Sequence, residues 1–259
     1  MLYGRPGGEP PAWNLAVDEA LLAGAAGRAA ARDGHGPATL RFYAWDPPAL
    51  SIGRFQTMVE AAAAARAAAW PDVAVVRRAT GGGAVLHRGE LTYAFVAGVG
   101  DVAPRGGVRE SFAAVHGAVA AGLGRLGLEV GPRSGAADGD GADDGAAARP
   151  ALCFERASAT DLVDGAGRKV VGSAQRRLGR AVLQHGSIPL ALVGAGFEAV
   201  AAALAEAFAR TFGRTAEPGG LRPDEAALAR RLEAEKYASA AWTEGLPLPL
   251  GEGLGESGR

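Results

Sequence analysis

The sequence holds a single cysteine, Cys153, in 259 residues, so no disulfide can form within the chain. Nothing ahead of Trp13 reads as a charged segment followed by an apolar one, the pattern of a secretory leader, and a reducing cytoplasm is the expected compartment. Long hydrophobic runs are missing too. Arg28, Arg32 and Arg66 interrupt the alanine-rich stretches well short of the ~18 to 20 apolar residues that a membrane span needs, so no membrane partner is expected. Charge of one sign is absent, the formal net charge being -1, which leaves no basic face for nucleic acid. Four histidines and one cysteine show no His-x-x-x-His or Cys-x-x-Cys spacing, so no metal site is expected. Lysine is scarce beside alanine, glycine and arginine, a sign of GC-rich coding that weakens alanine as evidence for helix.

What is present is enough for a core, because 48% of the residues are apolar. Apolar spacing predicts a helix over 14–22, with Asn14 or an earlier residue as its cap, and further helices over 59–69, 108–126, 197–212 and 224–237. On the 108–126 helix, Phe112, Val115, Val119 and Leu123 share one face. Strands are expected at 39–43, 49–53, 73–77, 84–87, 91–96, 128–130, 159–163, 169–175 and 181–189. Asp46, Pro47 and Pro48 predict a hairpin between the first two strands, and 91–96 reads as an alternating strand. Residues 131–149 carry almost no large apolar side chain and are expected to form a mobile loop, and 246–259 a disordered tail, around one domain spanning 1–245. Strands interleaved with helices but joined by tight turns predict an α+β fold with mixed, largely antiparallel sheets and flanking helices.

Several segments carry chemistry. Arg77, Arg78, Gly81, Gly82, Gly83 and His87 fall within eleven positions. Consecutive glycines let a backbone approach a ligand and present N–H groups to a phosphate or carbonyl oxygen, but a tight turn with solvated arginines is the commoner source of such a triplet. It is not a Walker A loop, since no Gly-Lys-Ser/Thr follows, nor a dinucleotide fingerprint. Lys169 opens an apolar strand that continues through Gly172, Ser173 and Ala174. It either reaches over a ligand carbonyl or is an ordinary edge lysine. His185 sits within an apolar strand, as a proton shuttle or as a buried histidine bonded to a neighbour. His35 and His116 are read as surface residues. Cys153 is an inert small hydrophobe or a nucleophile, and the residues alone leave both open.

Taken together these segments resemble the biotin/lipoate protein ligase superfamily, lipoate branch. The likeness runs over about residues 12–243 and rests on the helix at 14–22, the stretch from Arg41 to Gln56, the Arg77–His87 motif, the Lys169–Gln175 and Gln184–Ile188 segments, and Tyr237 and Trp242. Cys153 and Phe154, followed by Ser158, Asp161, Leu162 and Lys169, resemble its cysteine-loop octanoyltransferases. That resemblance implies Cys153 and Lys169 as catalytic residues. It implies Arg77, Arg78, Gly81, Gly82, Gly83, His87, Gly172, Ser173, Ala174 and His185 as substrate-binding, and neither cofactor nor metal. It also implies octanoyl-acyl carrier protein as donor and a lipoyl-domain protein, such as glycine cleavage H protein, as acceptor. The alternative within the family is an ATP-dependent lipoate ligase using ATP and Mg, in which Cys153 is incidental. From another class, a non-catalytic acyl-binding scaffold would bind without turnover.

A free thiol of pKa ~8.5 is only about 3% thiolate at pH 7, so a cation beside it has work to do, and Lys169 is the expected one. The acceptor lysine must lose a proton, with the leaving thiolate, His87 and His185 as candidates. An octanoyl chain needs an apolar slot, for which Val76, Val85 and Ala174 are the expected lining. Burying its roughly six methylenes at ~0.8 kcal/mol each contributes about 5 kcal/mol.

Overall fold

The structure, a computed structural model, describes residues 2–3, 7–104, 107–133 and 161–245. Cys153, the predicted 131–149 loop from residue 134 onward and the predicted 246–259 tail lie outside the described residues. Residues 131 and 132 belong to a strand rather than to that loop.

Two sheets form. The larger has seven strands, in the order β1 (Leu2–Tyr3), β2 (Thr39–Tyr43), β6 (Glu90–Gly98), β10 (Ala181–Pro189), β9 (Lys169–Leu178), β8 (Leu162–Asp164) and β7 (Val130–Pro132). Apart from the parallel β1–β2 pair, its neighbours run antiparallel. The smaller sheet sets β3 (Ala49–Ile52) between β4 (Ala74–Arg77), parallel, and β5 (Val85–His87), antiparallel. The expected mixed, largely antiparallel α+β architecture is what the chain adopts.

Helices cover both faces of the large sheet. Tyr93 and Phe95 of β6 pack with Val115, Val119 and Leu123 of α4 (Val108–Gly124) and with Leu204 and Phe208 of α6 (Phe197–Thr211). The alternate residues Ala94 and Val96 pack with Leu15, Leu21 and Leu22 of α1 (Pro11–Ala30) and with Ala229 of α7 (Pro223–Leu232). Strand β6 is therefore buried along its whole length. The small sheet carries its own core, Leu50, Ile52 and Val73 against the alanines of α2 (Met58–Ala67). That helix starts with a capping box in which Thr57 and Glu60 satisfy each other's backbone N–H groups.

Two local expectations are corrected and one is narrowed. Residues 46–48 do not close a hairpin: β2 pairs with β1 and β6, β3 with β4 and β5, so this turn carries the chain from one sheet to the other. As the expectation allowed, α1 is capped by an earlier residue, Pro10, with Pro11 at the first helical position where proline is common, and not by Asn14. Its amide instead donates to the carbonyls of Glu9 and Ala44 and accepts from Arg41. The last predicted helix ends at Leu232 and continues as a π-helical turn over Glu233–Tyr237. Lys236 and Tyr237 of that turn both donate to Glu19 of α1, which also pairs with Arg176 of β9. Burial alone would raise the Glu19 pKa, but Lys236, Tyr237 and Arg176 outweigh it and hold the carboxyl below its ordinary value. Among the described residues, short helices that the sequence pattern did not announce are α3 (Val99–Val102), α5 (Leu190–Val193) and α8 (Ala240–Glu244).

Candidate active site

Where the two sheets meet, a cleft of about 430 Å³ opens between the floor of the large sheet and the glycine turn of the small one. Register builds the floor. On β9 and β10, Gly172 lies opposite Ser187, Ser173 opposite Gly186, and Ala174 opposite His185, and β6 adds Thr92 beside Ser187. Tyr43, Trp45, Ser51, Arg78, Gly82, Val85 and His87 supply the rest of the lining.

The polar groups of this lining are bonded chiefly to one another. His87 stacks on Trp45 with ring centres 3.8 Å apart, and its Nδ1 meets the Glu90 carboxylate. Glu90 also accepts from Ser187 and from Thr92, whose hydroxyl in turn accepts from Trp45 Nε1. On the other side of the ring, Ser51 Oγ lies 2.6 Å from His87 Nε2. The second histidine repeats the arrangement: His185 Nδ1 is 3.0 Å from Asp18 and its Nε2 is 2.8 Å from Thr80 Oγ1. Asp18 also accepts from Arg41 and Tyr43, each at 2.8 Å. Burial pushes the Asp18 pKa up, but His185, Arg41 and Tyr43 more than offset it, and the carboxyl is held below its usual value. The same burial, with Asp18 beside it, raises the Tyr43 phenol well above its ordinary range, so it stays a donor at neutral pH.

The Arg77–His87 segment divides by strand alternation, since neighbouring residues of β4 and its extension face opposite ways. Arg78 turns toward the cleft: one nitrogen donates to Ser51 O and Oγ at 2.7 and 2.8 Å, the other to the carbonyls of Gly81 and Gly83, both at 3.0 Å. Arg77 faces away, fully buried, and donates to the carbonyls of Gly53, Arg54, Gln56, Trp242 and Thr243. Trp242 Nε1 returns a bond to Arg77 O at 2.9 Å. Arg77 therefore fastens the closing segment to the small sheet, and it is not among the residues lining the cleft. Gly53 and Gly82 show why glycine is needed at this crossing. A Cβ on Gly53 would overlap the Gly82 carbonyl oxygen, and Gly82 has φ +94°.

Lys169 begins β9 and is buried in an ion pair with Asp161 at 2.7 Å; it is not among the residues lining the cleft. Nearby, burial pushes the Tyr93 phenol up to about 12, against hydrogen bonds from Ser173 and Gln184 that pull it down, with the Asp161 charge adding to the rise. Tyr93 OH and His116 Nε2 both lie 2.8 Å from Ser173 Oγ. His116 is thus a buried partner of a cleft residue, against the expectation of a surface role, whereas His35 is exposed and paired with Asp101. Of the expected tunnel residues, Val85 and Ala174 line the cleft, and Val76 belongs to the core beside α1. Sequence reasoning passed over Asp18, Ser51, Glu90 and His116. Asp18 carried a signal, lying three residues from Leu15 and four from Leu22 on the buried stripe of α1. Among the described residues no three His, Cys, Asp or Glu side chains gather as a metal-binding set, and no helix is long and apolar enough to cross a membrane.

Residues 10–216 match the lipoyl protein ligase A/B catalytic domain, and the chain belongs to that family. It is 38% identical over 250 residues to octanoyltransferase LipM of Moorella thermoacetica, covering 91% of this chain and 87% of that protein. To octanoyltransferase LipM of Symbiobacterium thermophilum it is 37% identical over 277 residues, covering 92% and 94%. Within the family the chain is accordingly an acyltransferase. The fold is shared with a lipoate protein ligase from Thermoplasma acidophilum, solved in a study of that bipartite ligase and its E2 lipoyl domain. That likeness has a TM-score of 0.69, at 21% identity over 96% of each chain.

Proposed function

We propose that this enzyme moves an octanoyl group from the thioester of acyl carrier protein to Cys153, and from Cys153 to a lysine of a lipoyl-domain protein such as glycine cleavage H protein. The observation that carries the reading is the similarity to two octanoyltransferases over more than nine tenths of this chain. In the first step the Cys153 thiolate attacks the donor carbonyl and the donor sulfur leaves as a thiolate. In the second the acceptor amine attacks the new thioester, the Cys153 thiolate leaves, and one proton passes from nitrogen to sulfur. Thioester exchange is nearly isoenergetic and amide formation is downhill, so this route uses no ATP and no metal.

The cleft supports an acyl occupant. Its hydroxyl, imidazole and guanidinium groups are engaged with one another, so the lining offers an octanoyl chain mainly carbon. Both ring nitrogens of His87 and of His185 are already bonded within the protein. That favours the leaving Cys153 thiolate as the final proton acceptor. Lys169, held by Asp161, is assigned the catalytic cation of the Cys153 step, and amides of the Gly81–Gly83 turn the stabilisation of the developing oxyanion. Cytoplasmic acyl carrier protein as donor places the reaction in the cytoplasm.

The test supplies an apo lipoyl domain with octanoyl-carrier protein in one arm and with free octanoate, ATP and Mg in the other. Modification in the first arm alone is the expected result. Modification only in the second replaces this reading with the ligase one, and binding without modification in either supports a scaffold.

A further inference from the structure

Glu90 is a buried carboxylate with no counterpart in the sequence-level assignment of the site, and it sits at the junction of both walls of the cleft. It begins β6 of the large sheet and accepts from Thr92 of the same strand and Ser187 of β10. It also meets His87 of β5 in the small sheet. From there a single line of contacts continues. His87 Nε2 meets Ser51 Oγ at 2.6 Å, Ser51 Oγ accepts from Arg78 at 2.8 Å, and Arg78 grips the Gly81 and Gly83 carbonyls at 3.0 Å each. The donors are assigned by exclusion. Glu90 takes the Nδ1 hydrogen of His87, and Ser51 Oγ, already accepting from Arg78, gives its own hydrogen to Nε2.

That line controls the direction of peptide groups at the cleft. A planar trans peptide sets its C=O and N–H on opposite sides, so fixing the Gly81 carbonyl on Arg78 turns the Gly82 N–H away from the guanidinium. Gly82 lines the cleft and has no side chain to hold its own conformation at φ +94°. Its orientation must come from a neighbour, and the guanidinium clamp supplies it.

Resting on the octanoyl-transfer reading, we propose that Glu90 is a positioning residue for that reaction: through His87, Ser51 and Arg78 it sets the backbone of the Gly81–Gly83 turn against the β10 floor of the cleft. Glu90 touches no substrate in this assignment. Its carboxylate ties the small sheet to β10, and loosening it leaves the glycine turn free to rotate its peptide planes away from the acyl carbonyl.

A double-mutant cycle tests this with octanoyl-carrier protein and an apo lipoyl domain, alongside thermal unfolding of every variant. Glu90→Gln keeps the shape but cannot accept from His87, Thr92 and Ser187 together. It is expected to lower kcat by about tenfold to a hundredfold with KM changed by less than about threefold, the size of effect a misplaced oxyanion donor gives. Arg78→Lys keeps the charge but loses the two-nitrogen grip. In that background the further loss from Glu90→Gln is expected to shrink to about twofold, because the line is already broken. Ser51→Ala cuts the same line with Glu90 and His87 intact and is expected to reproduce the kcat loss even where Glu90→Gln folds poorly. Additive losses for Glu90→Gln and Arg78→Lys, or full kcat in a folded Ser51→Ala, overturn the proposal. A wild-type chain that transfers no octanoyl group refutes the transfer reading itself, and Glu90's role in it falls with that reading.

Discussion

Replacing Arg77 separates a structural arginine from a substrate-binding one. The side chain is fully buried and donates to five backbone carbonyls, at 2.6 Å to Gln56, 2.7 Å to Thr243, 3.0 Å to Arg54 and Trp242 and 3.2 Å to Gly53. A hydrogen bond to a charged donor contributes ~1.5 to 3 kcal/mol, but these five share three nitrogens, and several carbonyls at the edge regain water once the side chain is gone. The expected cost of Arg77→Ala is therefore about 3 to 5 kcal/mol, the range for breaking a buried charged network. For a domain of this size that lowers the Tm by roughly 10 °C. Arg77→Lys should recover only part of it, since an ammonium has three donors and no planar fork. The assay is thermal or urea unfolding, paired with octanoyl transfer corrected for the folded fraction. Arg77→Ala with stability within ~1 kcal/mol of wild type but no transfer would refute the reasoning and return Arg77 to the substrate.

Asp18 gives an acid signature. Its pKa is lowered in the fold relative to ~3.9 in the unfolded chain, so its contribution is present above about pH 4 and lost as pH falls through the folded value. Urea unfolding of Asp18→Asn should show lower stability at neutral pH, by about 3 kcal/mol since Arg41 loses its anion, and a flatter decline below pH 4 than wild type. Gly53→Ala forces the Gly82 carbonyl to move, so kcat for octanoyl transfer should fall by about tenfold while unfolding shows a loss of about 1 to 3 kcal/mol.

Long periodic segments were the most legible part of the chain. The pattern of 181–189 reads as a strand and is one, and α4 and α6 follow their apolar spacing within a few residues. Pairing was not legible. Asp46, Pro47 and Pro48 state that the chain turns, but whether the next strand returns to β2 or leaves for a second sheet depends on β4 and β5, which come later in the chain. In the site, the glycine turn stood out because three glycines follow one another beside two arginines, and His185 because an imidazole interrupts an otherwise apolar strand. The groups that hold them did not. Glu90 and Ser51 look like common surface residues until two sheets close over them, and His116 borders the apolar stripe of α4 without breaking it. Arg77 and Arg78 were read as a pair, although adjacent strand residues point opposite ways and only one of them can face a cleft.

The most direct test is the intact mass of the enzyme after brief mixing with octanoyl-carrier protein in the absence of ATP and acceptor. The account predicts one octanoyl adduct per chain, located at Cys153, discharged by apo lipoyl domain and missing in Cys153→Ser. Octanoyl transfer by Cys153→Ser at the wild-type rate, or an adduct on another residue, would contradict it.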